Sequence, residues 1–228
     1  MRWCLFPTLL AISPDQKDIF LHELDEYYVL RKRVLIDQRG WGLKAHKGRE
    51  RDPFDHDQAH YLLYIVKNKV WAGVRLMPTT GPNLTMDVFA HLIEASCNFH
   101  ATVNVWEVSR FVTESGGGCP HGLIRKATFM LFMGVIEYGI LHNLHSILAT
   151  TDIRLERILR MCQWELKRLG GLEKIGNTFV VSGLLEISER IRHKVYQNTG
   201  MSPIVFCREA LQNKCLLSLA PFKEEGVN

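Results

Sequence analysis

No stretch of this chain approaches the ~20 consecutive apolar residues that a membrane-spanning helix needs. Residues 3–12 are apolar, but the run is short, contains Pro7 and lacks a small-residue cleavage site, so it reads as a first strand rather than a signal peptide. The six cysteines (4, 97, 119, 162, 207 and 215) include no C-x-x-C pair and are too scattered for a disulfide framework; they read as buried, reduced thiols of a cytoplasmic protein. There is no H-E-x-x-H, no G-x-G-x-x-G and no loop ending in Gly-Lys-Ser, so metalloprotease, dinucleotide and P-loop fingerprints are missing. Charge of one sign is scarce too. With 28 basic and 24 acidic residues the net charge is only +4, too mild for a nucleic-acid binder, although a local basic face remains open to an acidic partner. Internal repeats and low-complexity stretches are also lacking.

What is present is the composition of an ordinary globular protein: 228 residues, 46% apolar and 23% charged. We expect one domain over residues 1–228, with a frayed tail from 221. Ser13-Pro14-Asp15-Gln16 is a helix start, with Ser13 as N-cap, Pro14 at the first helical position and Gln16 closing a capping box. Behind it Phe20, Leu24, Tyr27, Tyr28, Leu30, Val34 and Leu35 form a helical stripe to about residue 38. Residues 39–58 have no clean period and read as a long loop, a kind often used as a lid or binding segment. Residues 61–66 and 70–76 flank Lys67-Asn68-Lys69 as an antiparallel hairpin. A short helix is expected over 86–95. A strand over 104–112 puts Val105, Glu107, Ser109 and Phe111 on one face and Trp106, Val108 and Arg110 on the other. A glycine loop at 116–118 leads into an apolar helix over 122–142. Next come a strand over 145–150, a helix over 152–169 stopped by Gly170-Gly171, a strand over 178–182, a helix over 184–198 and a last strand over 202–207. This order predicts an α/β fold, a mixed sheet with helices on both faces.

Several polar groupings carry two readings each. His56 and His60, beside Asp55 and Asp57, have the i, i+4 spacing of a metal pair, but the segment reads as a loop running into a strand, where solvated side chains fit better. His142 and His145 straddle a helix end, where contact with the helix dipole explains them better than a ligand pair. The glycine loop before the long helix is an anion cradle or a plain loop. Arg154, Arg157, Arg160, Lys167 and Arg168 on one predicted helix are a solvated face or a docking surface for an acidic partner.

The most informative residues are Arg31, Glu50, Asp52, Asp55, Arg75, Glu107 and Arg110, all set beside aromatic or aliphatic runs. Charges so placed are costly to bury unless paired, which predicts one internal ionic cluster. Glu107, inside an apolar strand, faces core or cleft, either as a partner of Arg75 or Arg31 or as a working carboxylate. Two strands, read as parallel and ending in Arg75 and Arg110, with a carboxylate-rich loop nearby, describe a cleft for a ligand carrying both an amine and a carboxylate.

Four segments in order carry a family resemblance: Arg31, Leu35 and Trp41; Glu50-x-Asp52-x-x-Asp55; Arg75-Leu76-Met77-Pro78-Thr79; and Glu107-Val108-Ser109-Arg110-Phe111. Together they resemble the motifs of the acyl-homoserine-lactone synthases, the LuxI-type autoinducer synthases, over roughly residues 25–170. Leu35 stands where the family usually has Phe, and Gln163 stands in a Gly place before Trp164. The resemblance implies a GNAT-like N-acyltransferase fold. It also implies a reaction in which S-adenosylmethionine, a substrate and not a cofactor, is acylated by a thioester on acyl carrier protein or coenzyme A and then lactonised, releasing methylthioadenosine. No metal is implied.

On that resemblance Glu107 is the candidate general base. Arg75 and Arg110 hold the substrate carboxylate or the ionic cluster, and Asp52 and Asp55 fix those arginines or bind the ammonium form. Glu50 belongs to the same binding set. Arg31 and Trp41 close the loop over the adenosyl group, which Leu35 helps to wall, and Ser109 and Phe111 line the acyl side. The position associated with the acyl 3-substituent falls at Ala149 or Thr150. Two rivals stay open: another GNAT-type acyltransferase acting on a different amine, and a non-enzymatic sensor of adenosyl ligands, which would need the pocket but not Glu107.

Overall fold

The computed structural model describes residues 7–114 and 121–201, without the side chains of residues 121, 123 and 124. The glycine loop at 116–118, the strand expected at 202–207, the tail from 221 and cysteines 4, 119, 207 and 215 lie outside the described residues. Strand β1 (Thr8–Ile12) leads through a 3₁₀ turn (Pro14–Gln16) into α1 (Leu21–Arg31), which continues as a π-helical segment (Lys32–Gln38). Next come β2 (Ala45–His46), β3 (Arg49–Glu50), β4 (His60–Val66), β5 (Lys69–Pro78), α2 (Leu84–Val88) and β6 (Val105–Thr113). The second half holds α3 (His121–Leu141), β7 (Ser146–Asp152), α4 (Ile153–Met161), β8 (Leu166–Arg168), β9 (Glu173–Ile175), β10 (Thr178–Glu186) and α5 (Glu189–Thr199).

The main sheet runs β1-β4-β5-β6-β7-β10-β8, with β9 also on β10, and β2 pairs with β3 separately. Within the main sheet β6 and β7 pair in parallel and the other neighbours are antiparallel, so the mixed sheet expected from the element order is present. Arg75 and Arg110 therefore sit on antiparallel strands, not parallel ones, and both lie within their strands. The expected hairpin forms on a two-residue turn: Lys67 (φ 49) and Asn68 (φ 58) are both left-handed, the backbone that lets two twisted strands close tightly. Alternation along the strands sorts the core into two faces. Leu9, Leu62, Tyr64, Val74 and Leu76 meet α3, and Leu10, Ile12, Tyr61, Leu63 and Met77 meet α1 and the π-helical segment. Because α3 lies between the sheet and α5, Met130, Leu131, Met133, Ile136 and Tyr138 are all buried.

Several boundaries differ from expectation. The capping residues at 13–16 start only a 3₁₀ turn, and α1 begins at Leu21. The long loop contains the β2–β3 hairpin. The helix expected over 86–95 is the short α2 followed by 3₁₀ turns. The helix expected over 152–169 stops at Met161, because Gln163 takes a left-handed φ of 61° that ends it, and Leu166–Arg168 is a strand. Thus Lys167 and Arg168 do not extend the basic helix, and Arg168 pairs with Glu156. The strand expected over 178–182 runs on to Glu186, and α5 starts only after Ser188, whose hydroxyl caps Ile191 N–H. Of the described cysteines, Cys162 is buried as expected, whereas Cys97 is exposed. Among the described residues no helix is long and apolar enough to cross a membrane.

Candidate active site

A β-bulge builds the site. Register on β5 and β6 passes from Gly73↔Val112 to Arg75↔Ser109, so Arg110 and Phe111 together oppose Val74. Arg110 takes φ 55°, a left-handed backbone that a non-glycine residue adopts at a cost of about 1–2 kcal/mol. The extra residue breaks the alternation. Ser109 and Arg110 both reach the α1 face, and Phe111 turns to the α3 face, where its ring lies 5.6 Å from that of Phe132. The expected pairing of Phe111 with Ser109 on one face is therefore corrected. Tyr27 of α1 crosses the sheet here and donates its hydroxyl to Arg110 O at 2.7 Å. Gly73 makes that crossing fit, since a Cβ there would stand 2.5 Å from the Tyr27 ring.

Over this face sits the ionic cluster. Arg31, Arg75 and Arg110 meet Glu50, Asp52 and Asp55, so formal charges cancel. Arg31 Nε lies 2.5 Å from Glu50, and Arg31 Nη1 lies 2.7 Å from Asp55. Arg75 grips Asp52 with two nitrogens, at 2.6 and 3.1 Å, and reaches Asp55 at 3.0 Å. Arg110 Nη2 contacts Asp52 at 2.7 Å and Glu50 at 3.3 Å. The carboxylates arrive preformed: Asp52 N–H donates to Asp55, Phe54 N–H donates to Asp52, and Asp55 N–H closes a turn on Asp52 O around Pro53. Arg49 clips the neighbouring β3 to Asp25 of α1. The guanidinium of Arg31 lies 5.4 Å from both the Tyr27 and Tyr28 ring centroids, and Tyr61 donates to Asp55 at 3.1 Å.

Burial graded across the cluster separates scaffold from rim. Arg31, Arg75, Glu50 and Asp55 are sealed, whereas the side chains of Asp52 (11% exposed) and Arg110 (6%) reach the edge. Burial alone opposes ionisation of Asp55, yet Arg31 and Arg75 hold its carboxyl well below the usual carboxylate range. Arg31 Nη2 is buried and makes no hydrogen bond among the described residues, with Asp52 Oδ2 3.7 Å away.

Glu107 does not belong to this cluster. It is fully buried, and its carboxylate accepts the backbone N–H of Thr85 and, at 3.2 Å, that of Leu84, so it has neither Arg75 nor Arg31 as partner. These amides open α2, whose third, Met86 N–H, goes to the side chain of Asn83. Thr85 Oγ1 lies 3.1 Å from Thr150 Oγ1, which lies 2.7 Å from Ser182 Oγ. Ala149, by contrast, packs into the α3-side core, so Thr150 is the member of that pair facing Glu107's surroundings.

Between these groups the sheet divides. β6 and β7 pair only from Val105↔Ser146 to Val108↔Ala149, after which β6 stays with β5 and β7 stays with β10. Ser109 and Arg110 flank the split on one side and Thr150 on the other. Leu35 and Trp41 meet near the cluster, Leu35 O accepting Trp41 N–H at 2.9 Å; Leu35 is buried in the α1-side core and Trp41 packs on it. The sequence did not point to Tyr27, Tyr28, Tyr61, Thr85 or Ser182 as site residues. The tyrosines are hidden in ordinary apolar periodicity, and Thr85 contributes through its backbone.

The histidine groupings resolve plainly. His60 bonds Tyr138 at 2.8 Å and packs tilted against Trp106 and edge-on against His142, while His56 faces Pro82 O, and no metal-holding cluster occurs among the described residues. A cavity of about 610 Å³ lies at the other end of β7, away from the ionic cluster, with Arg160, Lys167, Arg190 and Lys194 among its lining.

Residues 15–195 match the family described as autoinducer synthase. A probable acyl-homoserine-lactone synthase of Sinorhizobium fredii is 35% identical over 182 residues, covering 78% of this chain and 86% of the relative. An acyl-homoserine-lactone synthase of Agrobacterium fabrum is 33% identical over 180 residues, with 78% and 85% coverage. The solved structure of BjaI, a coenzyme-A-dependent acyl-homoserine lactone synthase, with SAM and isopentyl-CoA, shares the fold at a TM-score of 0.75 and 22% identity, covering 92% of this chain and all of that one. The fold is GNAT-like, with the split between the parallel strands at its centre. The chain belongs to the autoinducer synthase family, acyltransferases that make acyl-homoserine-lactone signals.

Proposed function

We propose that the chain acylates the amine of S-adenosylmethionine with an acyl thioester, on coenzyme A or acyl carrier protein, and then closes the homoserine lactone with loss of methylthioadenosine. The observation that carries this reading is the bulge at Arg110, which sets the rim of a neutral six-charge cluster beside the split between β6 and β7. Such a rim offers Asp52 to an ammonium and Arg110 to a carboxylate, the two charges of a methionyl head. In this reading Arg75, Asp55 and Glu50 hold the cluster, while Trp41 and Leu35 bound the adenosyl side. Ser109 and Thr150 flank the acyl group, and Phe111 backs the split from the α3 face.

The amine attacks the thioester only when neutral. Glu107, fixed by two α2 amides, takes the ammonium proton directly or through one water. The nitrogen then adds to the thioester carbon, and the oxyanion is met by backbone N–H groups on the β6 edge that no longer faces β7 after Val108. Collapse breaks the carbon–sulfur bond and expels the thiolate, which takes the remaining extra proton of the nitrogen and leaves as the thiol. The methionyl carboxylate next attacks the carbon beside sulfonium and breaks that C–S bond, so the protein's part is to hold the chain folded for ring closure.

Glu107→Gln keeps the shape but cannot accept that proton, so lactone formation should fall by about 10²- to 10⁴-fold; its NH₂ also faces one of the two α2 amides that the carboxylate accepts, so stability should fall by about 1–3 kcal/mol with the fold retained. A variant that makes lactone at the parent rate removes Glu107 from the role.

A further inference from the structure

The π-helical segment and the turn after it straddle the split in the sheet. Arg33 pairs with Glu114, just past the end of β6, and Arg39 Nη1 lies 3.3 Å from Asp152 Oδ2, at the end of β7. These carboxylates belong to the two strands that stop pairing after Val108 and Ala149. Directly after Arg39 the chain turns inward: Gly40 takes φ 66°, and the Trp41 ring centroid lies 5.8 Å from the Arg39 guanidinium. Arg39 thus lies over the Trp41 ring and reaches β7 through Nη1. Asp152 is anchored independently, because its Oδ1 caps α4 by accepting Arg154 and Leu155 N–H, both at 2.9 Å, which leaves Oδ2 to face Arg39. Neither residue lies in the four sequence motifs. A π-helical turn is rare and recurs at functional sites.

We propose that Arg39 and Asp152 form a positioning pair that fixes Trp41 and the turn at 39–44 across the mouth of the split, and so sets affinity for the adenosyl substrate. This rests on the functional reading above. The pair touches no reacting atom, so its signature is a change in KM without a matching change in kcat. With Arg39 37% and Asp152 11% exposed, the effect is bounded by what a partly solvated ion pair and one cation–π contact supply.

The test uses the full chain with S-adenosylmethionine, by calorimetry and by steady-state lactone formation, in Arg39→Gln, Asp152→Asn, both together, and Arg39→Lys. Asparagine at 152 retains the cap oxygen and puts an uncharged NH₂, which cannot accept from Arg39, where Oδ2 stood. Each single variant should raise Kd and KM for S-adenosylmethionine roughly three- to tenfold with kcat within about twofold. The double variant should be no worse than the weaker single, and Arg39→Lys should stay close to the parent. Unchanged Kd and KM, losses that multiply in the double, or a lysine as poor as glutamine would each overturn the pairing while lactone synthesis by the parent stands. A parent that neither binds S-adenosylmethionine nor makes lactone would overturn the functional reading, and the pair's role with it.

Discussion

The two faces of the central sheet keep titratable groups inside the protein by opposite means. On the α1 face, three arginines and three carboxylates are buried as ions because each is answered by another. On the α3 face, His60 lies among Trp106, Tyr138 and His142, and burial, with help from the charge of His142, pushes its pKa down to about 3. One face is ionic and balanced; on the other, burial keeps His60 neutral. Strand β6 contributes to both, and its bulge decides which residue goes where. The comparison shows that the cluster's charges hold one another at fixed positions, while the opposite face supplies the packing that keeps the strand in place.

Breaking the balance on the ionic face should have the largest effect. Arg31→Met leaves Glu50 and Asp55 buried without their shared cation and should cost about 3–5 kcal/mol, read as a fall in denaturant midpoint. A loss below about 1 kcal/mol would mean that the cluster is solvated and not a sealed network.

Mild acid should separate the faces. The unfolded chain protonates His60 near pH 6.5, whereas the folded protein resists to about 3. Between those values the unfolded state holds the extra proton, so stability is present above 6.5 and is lost as pH falls, by up to ~1.4 kcal/mol per unit and about 2 kcal/mol by pH 5. The depressed carboxyl of Asp55 loses its contribution only below its unfolded value of 3.8. His60→Gln should therefore flatten the stability profile between pH 6.5 and 5. An unchanged slope would place the acid sensitivity elsewhere.

The smallest change touches neither face and sharpens both measurements by raising the baseline. Gln163 ends α4 with φ 61°, so Gln163→Gly should relieve left-handed strain and stabilise the protein by about 0.5–1 kcal/mol, with no effect on lactone rate. A destabilised Gly variant would contradict that account of the helix end.

Gln163 also shows where the sequence is mute. The four motifs were legible because charge beside strand-like apolar runs is rare and their order is specific, and the mixed sheet with helices on both faces followed from the order of elements. The bulge was not legible. A left-handed residue is usually announced by Gly or Asn, and here it is Arg110, so alternation carried Phe111 to the wrong face. The same silence at Gln163 let the predicted α4 run on through β8. Glu107 was read as facing core or cleft and is buried, but its partners are backbone amides, which any residue supplies. Arg39 and Asp152 stand 113 residues apart, and only the split sheet brings them together.

The central claim is that the ionic face presents the amine of S-adenosylmethionine to a thioester in the split. It is tested most directly by incubating the purified protein with S-adenosylmethionine labelled in its methionyl carbons and with acyl-coenzyme A or acyl carrier protein, followed by mass spectrometry. The prediction is acyl-homoserine lactone that carries the label, formed one-to-one with methylthioadenosine. Acylation of a different amine, or acyl transfer that leaves the labelled S-adenosylmethionine intact with both donors, would contradict it.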